Sequence, residues 1–530
     1  MTRESGLSFR HQQGRVLRYL PQVTGSGVAL IDFDGDGELD AFYVQGSGPE
    51  ETKDPRGMPP CALFRRLDGK YSECAGLAGV ADRGYGMAPV AADFDNDGYP
   101  DLAITHYMQP TTFYRNNGDG TFTEVSDPAG LSDPKLLWPS SLTAFDYDRD
   151  GFLDLYLGQY VNFGPNDWVP NPQIKDEGWE PGPVTLLPGR YKGLPNKLYH
   201  NDANGRFSDR TREAGPVDGF GQSLGALAAD FDGDGWQDLM IANDAATPNV
   251  VYRNLGNGRF QDVSKGSWAD EARGSMGFAV GDVDLDGLPD VLVSHWHNPL
   301  ALYRSVKPGG TQGRIRFLDR ALNQGLIAED ALVGWAVAFL DVDNDGFEDI
   351  LLLHGHTSPP GDDPLGGKMA QQLTYFYKNR GDGFFERQAP AGPSDPLSRK
   401  RVGRSAAFGD LDRDGTVDLV LSSNNEPAEV WQNAGAKGAW IGLWLTGTGC
   451  NRNAVGAHVD VTAGTMRRWK ELVAGDSYFA TNARHLLFGL GEESVPASVH
   501  VRWPSGRVED FGPLESRRYH RLVEGTGRAP

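Results

Sequence analysis

Residues 30–44 read LIDFDGDGELDAFYV, and the nine residues from Asp32 to Asp40 decide the fold. Apolar residues lead into a D-x-D-x-D-G-x-x-D loop and apolar residues lead out, so the unit is strand, acidic loop, strand. The pattern occurs seven times: DFDGDGELD from Asp32, DFDNDGYPD from Asp93, DYDRDGFLD from Asp146, DFDGDGWQD from Asp230, DVDLDGLPD from Asp282, DVDNDGFED from Asp341 and DLDRDGTVD from Asp410. Every copy keeps four aspartates and a glycine at fixed offsets, and chance does not do that seven times.

The spacing has a chemical reason. A hard cation such as Ca²⁺ takes six to eight oxygens at about 2.3–2.6 Å. Carboxylates at positions 1, 3 and 5 of a tight loop point inward together, and glycine at position 6 permits a positive-φ turn. The carbonyl of position 7 then faces the ion, and the aspartate at position 9 closes the shell. The expected calcium ligands are therefore Asp32, Asp34, Asp36 and Asp40 in the first loop, Asp93, Asp95, Asp97 and Asp101 in the second, and Asp146, Asp148, Asp150 and Asp154 in the third. Asp230, Asp232, Asp234 and Asp238 follow, then Asp282, Asp284, Asp286 and Asp290, Asp341, Asp343, Asp345 and Asp349, and finally Asp410, Asp412, Asp414 and Asp418. The loop resembles that of an EF-hand without its glutamate at position 12, so flanking helices are not required.

A second hairpin follows each loop, with an aromatic-rich strand and a Gly-Asp or Gly-Asn turn, as in FYRNNGDGTFTEV and VYRNLGNGRFQDV. Two hairpins make a four-stranded blade, and repeats of about 50 residues indicate a propeller. The expected architecture is all-β: a seven-bladed β-propeller over residues 1–435 and a small C-terminal β-domain over 436–530. The last blade lacks its own fourth strand, and Gly6–His11 is the expected donor that closes the ring. The widest spacing, Asp146 to Asp230, holds a Pro-, Gly- and Trp-rich insertion with Trp168 and Trp179, and the sixth blade carries another around HTSPPGDDPLGGKMAQQ. Such insertions are either plain surface loops or covers for a binding face.

Bulk properties agree. The chain has 530 residues with Gly 69 and Pro 34, and no long segment repeats its apolar residues with helical period. No apolar run is long enough to span a membrane. A formal net charge of -22 argues against nucleic acid as a partner. The first twenty residues have no apolar core and no small-residue cleavage site, so the expected location is cytoplasmic, or extracellular or periplasmic if a leader has been removed. Cys61, Cys74 and Cys450 are too few for a disulfide framework, and reduced thiols are expected. A monomer is expected.

With these motifs in view, the blades resemble FG-GAP or VCBS repeats, as in α-integrin propellers. The tail from Gly447, with GTGCNRNAVGAHVDVTAG, HLLFGLG and VHVRWPSGRVEDF, resembles the ASPIC/UnbV domain. Together they are similar to the cartilage acidic protein family and its bacterial relatives across essentially the whole chain. The resemblance implies calcium and the propeller fold, and assigns no chemistry to residues of the tail. This chain departs from it by placing His where relatives often have Asn after the second strand.

In such a propeller the second strand climbs from the acidic loop to the opposite face, where ligands usually bind. Five residues past the last aspartate of each motif stand Gln45, His106, Gln159, Asn243, His295, His354 and Ser423. His297 and His356 lie two further on, giving His-Trp-His and His-Gly-His. Alternate strand residues point the same way, so each pair can chelate a metal such as Zn, Cu or Fe. The candidate catalytic residues are His106, His295, His297, His354, His356 and Asp244, with Gln45, Gln159, Asn243 and Ser423 as a ligand-binding rim. The competing reading makes these hydrogen-bonding strand ends. Arg467, Arg468 and Arg502 form either a modest basic surface of the tail or, the favoured reading, a solvated strand face. Two functions follow: binding of a small molecule at a His-rich face, extending to metal-dependent biosynthetic catalysis, or a non-catalytic protein- or glycan-interaction module of integrin-like type.

Overall fold

The computed structural model describes residues 5–12, 20–46, 59–164, 167, 188–203, 205–215, 219–245, 247–267, 269–296, 300–306, 315–327, 332–357, 371–493 and 495–530. Trp168, Trp179, His297 and most of the sixth-blade insertion lie outside them. Among the described residues seven sheets follow one another along the chain, and two further sheets form the tail. In the second sheet the strands Gly86–Ala92, Asp101–His106, Gln109–Asn116 and Phe122–Glu124 pair as successive antiparallel neighbours. The first two strands of each sheet are buried on both faces, which is why they read as continuous apolar runs. The innermost strand of each sheet lies against that of the next, and that of the last (Gly403–Gly409) against that of the first (Val28–Ile31), so the sheets close as a β-propeller.

Two devices join neighbouring blades. The phenylalanine that opens a fourth strand packs on the aromatic at loop position 2 of the preceding blade: Phe122 on Phe33 at 6.0 Å, Phe207 on Phe94 at 5.6 Å and Phe317 on Phe231 at 5.8 Å. Burial of each such ring is worth about 1.5–3 kcal/mol. An asparagine ending the third strand then reaches across. Asn116, Asn201, Asn254, Asn379 and Asn433 each donate Nδ2–H to the position-2 carbonyl of the blade before, at 2.6–3.0 Å. The Asn of the recurring Tyr-Arg-Asn triplet is thus an inter-blade latch.

The last blade has three strands, Gly403–Gly409, Asp418–Ser423 and Glu429–Trp431. The N-terminal segment lies beside the third, where Arg10 bridges Pro427, the Ala428 amide donates to Phe9 and the His11 amide donates to Glu426. The same segment holds the first blade through the Tyr71 amide on the Ser5 carbonyl, so one stretch of chain ties both ends of the ring.

The tail pairs Ala439–Thr446 with Leu486–Gly491 and Arg518–Val523 in one sheet and builds a four-stranded second sheet from His458–Ala463 outward. It does not stand apart. Residues 474–485 run into the propeller axis, where Ala480–Thr481 adds a parallel strand to Val28–Ile31. There Tyr478 is buried against Trp335 at 4.9 Å and donates its hydroxyl to the Thr24 carbonyl at 2.6 Å. All three cysteines are free thiols. No helix among the described residues is long and apolar enough to cross a membrane.

Candidate functional site

The acidic loops share one geometry. Position-6 glycines, from Gly37 to Gly415, have φ between +83° and +105°, a region that disfavours side chains. Each amide donates to the position-1 aspartate at 2.7–3.1 Å, closing the turn. The position-9 aspartate is a brace as well as a candidate ligand. Its Oδ2 accepts the position-2 amide, and its Oδ1 accepts the amide of the third-strand latch residue, as for Asp101 with Phe94 at 3.1 Å and Asn116 at 2.8 Å. Burial raises the carboxyls of Asp40 and Asp101 to about 8 and that of Asp93 to about 6.

The donor set fits a hard divalent cation. In the first, third and fourth loops one oxygen from each of positions 1, 3 and 5 lies within 4.8 Å of the others, and in the second loop the same holds for Asp93, Asp95 and Asp101. Asp32, Asp148, Asp230 and Asp341 each keep a buried Oδ1 with no hydrogen-bond partner. Such orphaned acceptors are costly unless a cation or water meets them. Sequence reading missed the basic side chain that the third strand sets against most of the clusters. Arg65 Nε lies 2.6 Å from Asp34, Arg253 Nη2 2.9 Å from Asp234, and Lys378 Nζ 2.6 Å from Asp343. The signal was the Arg of the same Tyr-Arg-Asn triplet.

At the opposite ends of the second strands, the seven equivalent residues are all buried. Their hydrogen bonds run to their own blade or to the segment covering it. His106 lies between the Pro110 carbonyl at 3.1 Å and Asp82 at 2.9 Å. His354 Nδ1 lies 2.8 Å from the Leu373 carbonyl, and His295 Nδ1 3.0 Å from Ser275 Oγ. Gln159 and Asn243 donate to the carbonyls of Pro195 and Pro248, and Gln45 to that of Arg10. These groups brace the chain that enters or leaves the strand. Ser423 pairs with Gly403 at the same level.

Of the two His-x-His pairs, His295 and His354 engage their own blade through Nδ1, His356 lies against Trp296, and His297 is outside the described residues. Burial takes His295 and His354 down to about 3 and about 4, which favours the neutral ring, and each keeps a buried Nε2 with no hydrogen-bond partner. For His106 burial opposes charge, but the Asp82 carboxylate wins and raises it. The local cause is a bulge. The register of the first two strands slips between Gly86 and Pro89, Ser275 and Phe278, and Gly334 and Val337, opposite these histidines. A small residue then makes room: a Cβ on Gly84 would lie 2.1 Å from His106. His356 is half-buried against Trp296, with ring centroids 5.6 Å apart. Asp244 is buried, accepts the Tyr160 hydroxyl and the Ala245 amide, and is raised to about 6 by burial.

The tail covers the acidic-loop face. Asn453 Oδ1 accepts the Asp93 amide at 2.8 Å, Glu471 the Asp230 amide at 3.0 Å and His485 Nε2 the Asp410 amide at 3.0 Å. Arg502 pairs with Asp230 at 2.9 Å, Tyr519 donates to Asp410 at 2.7 Å, and Arg468 donates to the Gly346 carbonyl. Arg468 and Arg502 thus face the loops, which corrects their reading as solvated strand residues. Only Arg467 keeps that character, paired at the surface with Asp460.

A ring of strand–acidic loop–strand blades capped in this way defines a class. Residues 32–104, 93–157, 188–241, 230–293 and 341–421 match the FG-GAP-like repeat, and residues 447–529 match the ASPIC and UnbV family. The repeat matches cover more than half of the chain, which belongs to the FG-GAP-like repeat family. In particular, it is similar to cartilage acidic protein 1 of Homo sapiens, 24% identical over 518 residues, covering 92% of this chain and 70% of that protein. The Xenopus tropicalis protein of the same name is 23% identical over 513 residues, covering 92% and 71%. Among solved structures, an Agrocybe aegerita lectin that recognises non-reducing terminal N-acetylglucosamine aligns with TM-score 0.42 and 16% identity, over 72% of this chain and 89% of that one. YCF48 from Cyanidioschyzon merolae aligns with TM-score 0.42 and 8% identity, over 80% and 99%.

Proposed function

We propose that the chain is a calcium-binding interaction module whose acidic loops hold Ca²⁺ and whose opposite face binds a protein or glycan partner. The observation that carries the calcium half is the buried, unpartnered carboxylate oxygen in four of the loops, within a donor set made of oxygen alone at three of them. When bound, the ion supplies positive charge that lets these carboxylates stay ionised while buried. The chain's own residues do the rest: position-6 glycines turn the loop, position-9 aspartates fasten it to the third strand, and the tail holds its outer side.

The interaction half rests on the rim. His106, His354, Gln159 and Asn243 each bond a described backbone carbonyl just before or at the third strand, so among the described residues these polar groups fasten the chain rather than converge on one point. Loops on a rigid scaffold suit recognition of a large partner. The test is a glycan array and a protein array, each probed with the full chain in calcium and again after EDTA. Saturable binding to a defined class that is lost in EDTA supports the reading. Protein that takes up no calcium in calorimetric titration, or whose binding ignores EDTA, overturns it.

A further inference from the structure

The third blade differs from the others in the side chain that its third strand sets against the acidic loop. Where Arg65, Arg115, Arg253, Arg304, Lys378 and Gln432 stand just before the latch residue of their blades, this blade has His200. Arginine and lysine offer no lone pair, whereas a neutral imidazole is a strong ligand for borderline transition metals and a poor one for Ca²⁺.

We propose that this loop is a transition-metal site of the Zn²⁺ class, built from Asp148, Asp154 and His200 Nδ1, with a further position open to solvent. The three offer ligand atoms that lie within 4.8 Å of one another. His200 Nδ1 is 3.2 Å from Asp154 Oδ1 and 3.5 Å from Asp148 Oδ2. Bonds of 2.0–2.2 Å in a tetrahedral shell place ligand atoms about 3.3–3.6 Å apart, close to both distances from His200 Nδ1.

Three further features point the same way. Asp148 Oδ1 is buried with no hydrogen-bond partner, so this carboxylate is not fully engaged by protein groups. Asp154 is locked by the Tyr147 amide at 3.0 Å and the Asn201 amide at 2.8 Å. The other imidazole nitrogen, Nε2, has carboxylates of Asp202 and Asp150 at 3.8 and 3.9 Å. Carboxylates behind the second nitrogen orient a metal-bound histidine and strengthen it as a ligand. The Tyr147 ring, edge-on at 5.9 Å, holds the imidazole from the side.

The site shares Asp148 and Asp154 with the calcium set of the same loop, so one ion excludes the other there. It does not depend on calcium in the remaining loops.

The probe is Co²⁺, whose tetrahedral complexes absorb strongly in the visible. Metal-stripped full-length protein in saturating Ca²⁺ is titrated with Co²⁺, then with Zn²⁺. One equivalent of Co²⁺ with tetrahedral bands, displaced by Zn²⁺ and retained against excess Ca²⁺, is expected. His200→Arg, which restores the residue of the neighbouring blades, should weaken Co²⁺ binding at least a hundredfold and leave thermal unfolding in calcium unchanged. His200→Gln serves as a second variant if the arginine perturbs folding. No stoichiometric Co²⁺ spectrum in the wild type overturns the proposal. So does a spectrum that survives both substitutions, since that places the metal at a surface histidine such as His458 or His500. Cobalt at His200 with no calcium in any loop would instead sink the calcium reading and leave this site standing.

Discussion

Removing calcium is the perturbation that tests most of the reasoning at once. Metal-free loops crowd buried carboxylates together, and the formal charge of the chain is -22. Seven divalent ions add fourteen positive charges, leaving about -8 and relieving repulsion across one face. With free Ca²⁺ a hundredfold above the dissociation constant, each loop contributes about 2.7 kcal/mol, and seven contribute roughly 19 kcal/mol. The third-strand cations offset part of this, because in the metal-free protein they neutralise the same carboxylates. Arg65 and Lys378 are partly exposed, so such pairs are worth up to about 1 kcal/mol each, or about 5 kcal/mol over the ring. Unfolding entropy of about 2.1 cal/mol/K per residue gives about 1.1 kcal/mol/K for a chain of this length. The melting temperature should therefore fall by roughly 12–17 °C if the ring unfolds as one unit. Scanning calorimetry before and after exhaustive chelation, then after calcium is restored, measures it. A reversible fall of that size is expected. A change under about 3 °C would show that the basic side chains alone hold the loops and that the orphaned oxygens meet no cation.

Other expectations follow from single contacts. Asn254→Ala removes Nδ2–H bonds to Tyr147 and Gln237 at 2.9 and 3.1 Å, and should cost about 2–4 kcal/mol in urea unfolding at fixed calcium; a loss within 0.5 kcal/mol (about the scatter of surface substitutions) would deny the latch its role. Deleting residues through His11 should strip the partner of Pro427 and Ala428 and broaden the thermal transition, whereas wild-type melting would mean another segment closes the ring. Asp244 titrates near 6 in the fold against 3.8 unfolded, so the folded state holds the extra proton between those values. Its contribution is fully present below pH 4 and is lost as pH rises through about 6, a fall of about 3 kcal/mol. Asp244→Asn should flatten that part of the stability profile, and an unchanged profile would mean that other groups set it.

Much of this protein is legible in its sequence because a repeat averages out local ambiguity. One strand–loop–strand segment such as residues 30–44 is weak evidence, but seven copies fix the blade and make an oxygen-donor cation loop the expected chemistry. The N-terminal closure was legible for a similar reason, since a blade with three strands needs a fourth from somewhere. The rim was legible only in part. Counting five residues past each motif found seven equivalent, polar positions, yet period-two alternation could not say where their side chains point. A bulge in the partner strand intervenes at each histidine, and glycines such as Gly84 open space inside the blade. Pattern arguments hold along regular strands and fail where the strand ends, which is where function was sought.

The tail was the least legible part, and the reason is again physical. Nothing local in Val473–His485 announces that it enters another domain's axis, because the partners lie far away in sequence. The Ala474 carbonyl meets Thr143 and Ala144, Ser477 exchanges backbone hydrogen bonds with Phe278, and Ala483 donates to Phe408. These contacts touch the third, fifth and seventh blades from one short loop. A closed ring leaves an axial hole lined by first-strand backbone, and the innermost strands need partners there. By filling the axis and bonding three loop amides from outside, the tail ties the acidic loops to the centre of the ring. With Ca²⁺ in the loops as proposed, its binding and order in the tail would be coupled, and by thermodynamic reciprocity each would stabilise the other. A change in the tail, such as loss of His485 from the Asp410 amide, should therefore register as weakened calcium binding by the seventh loop.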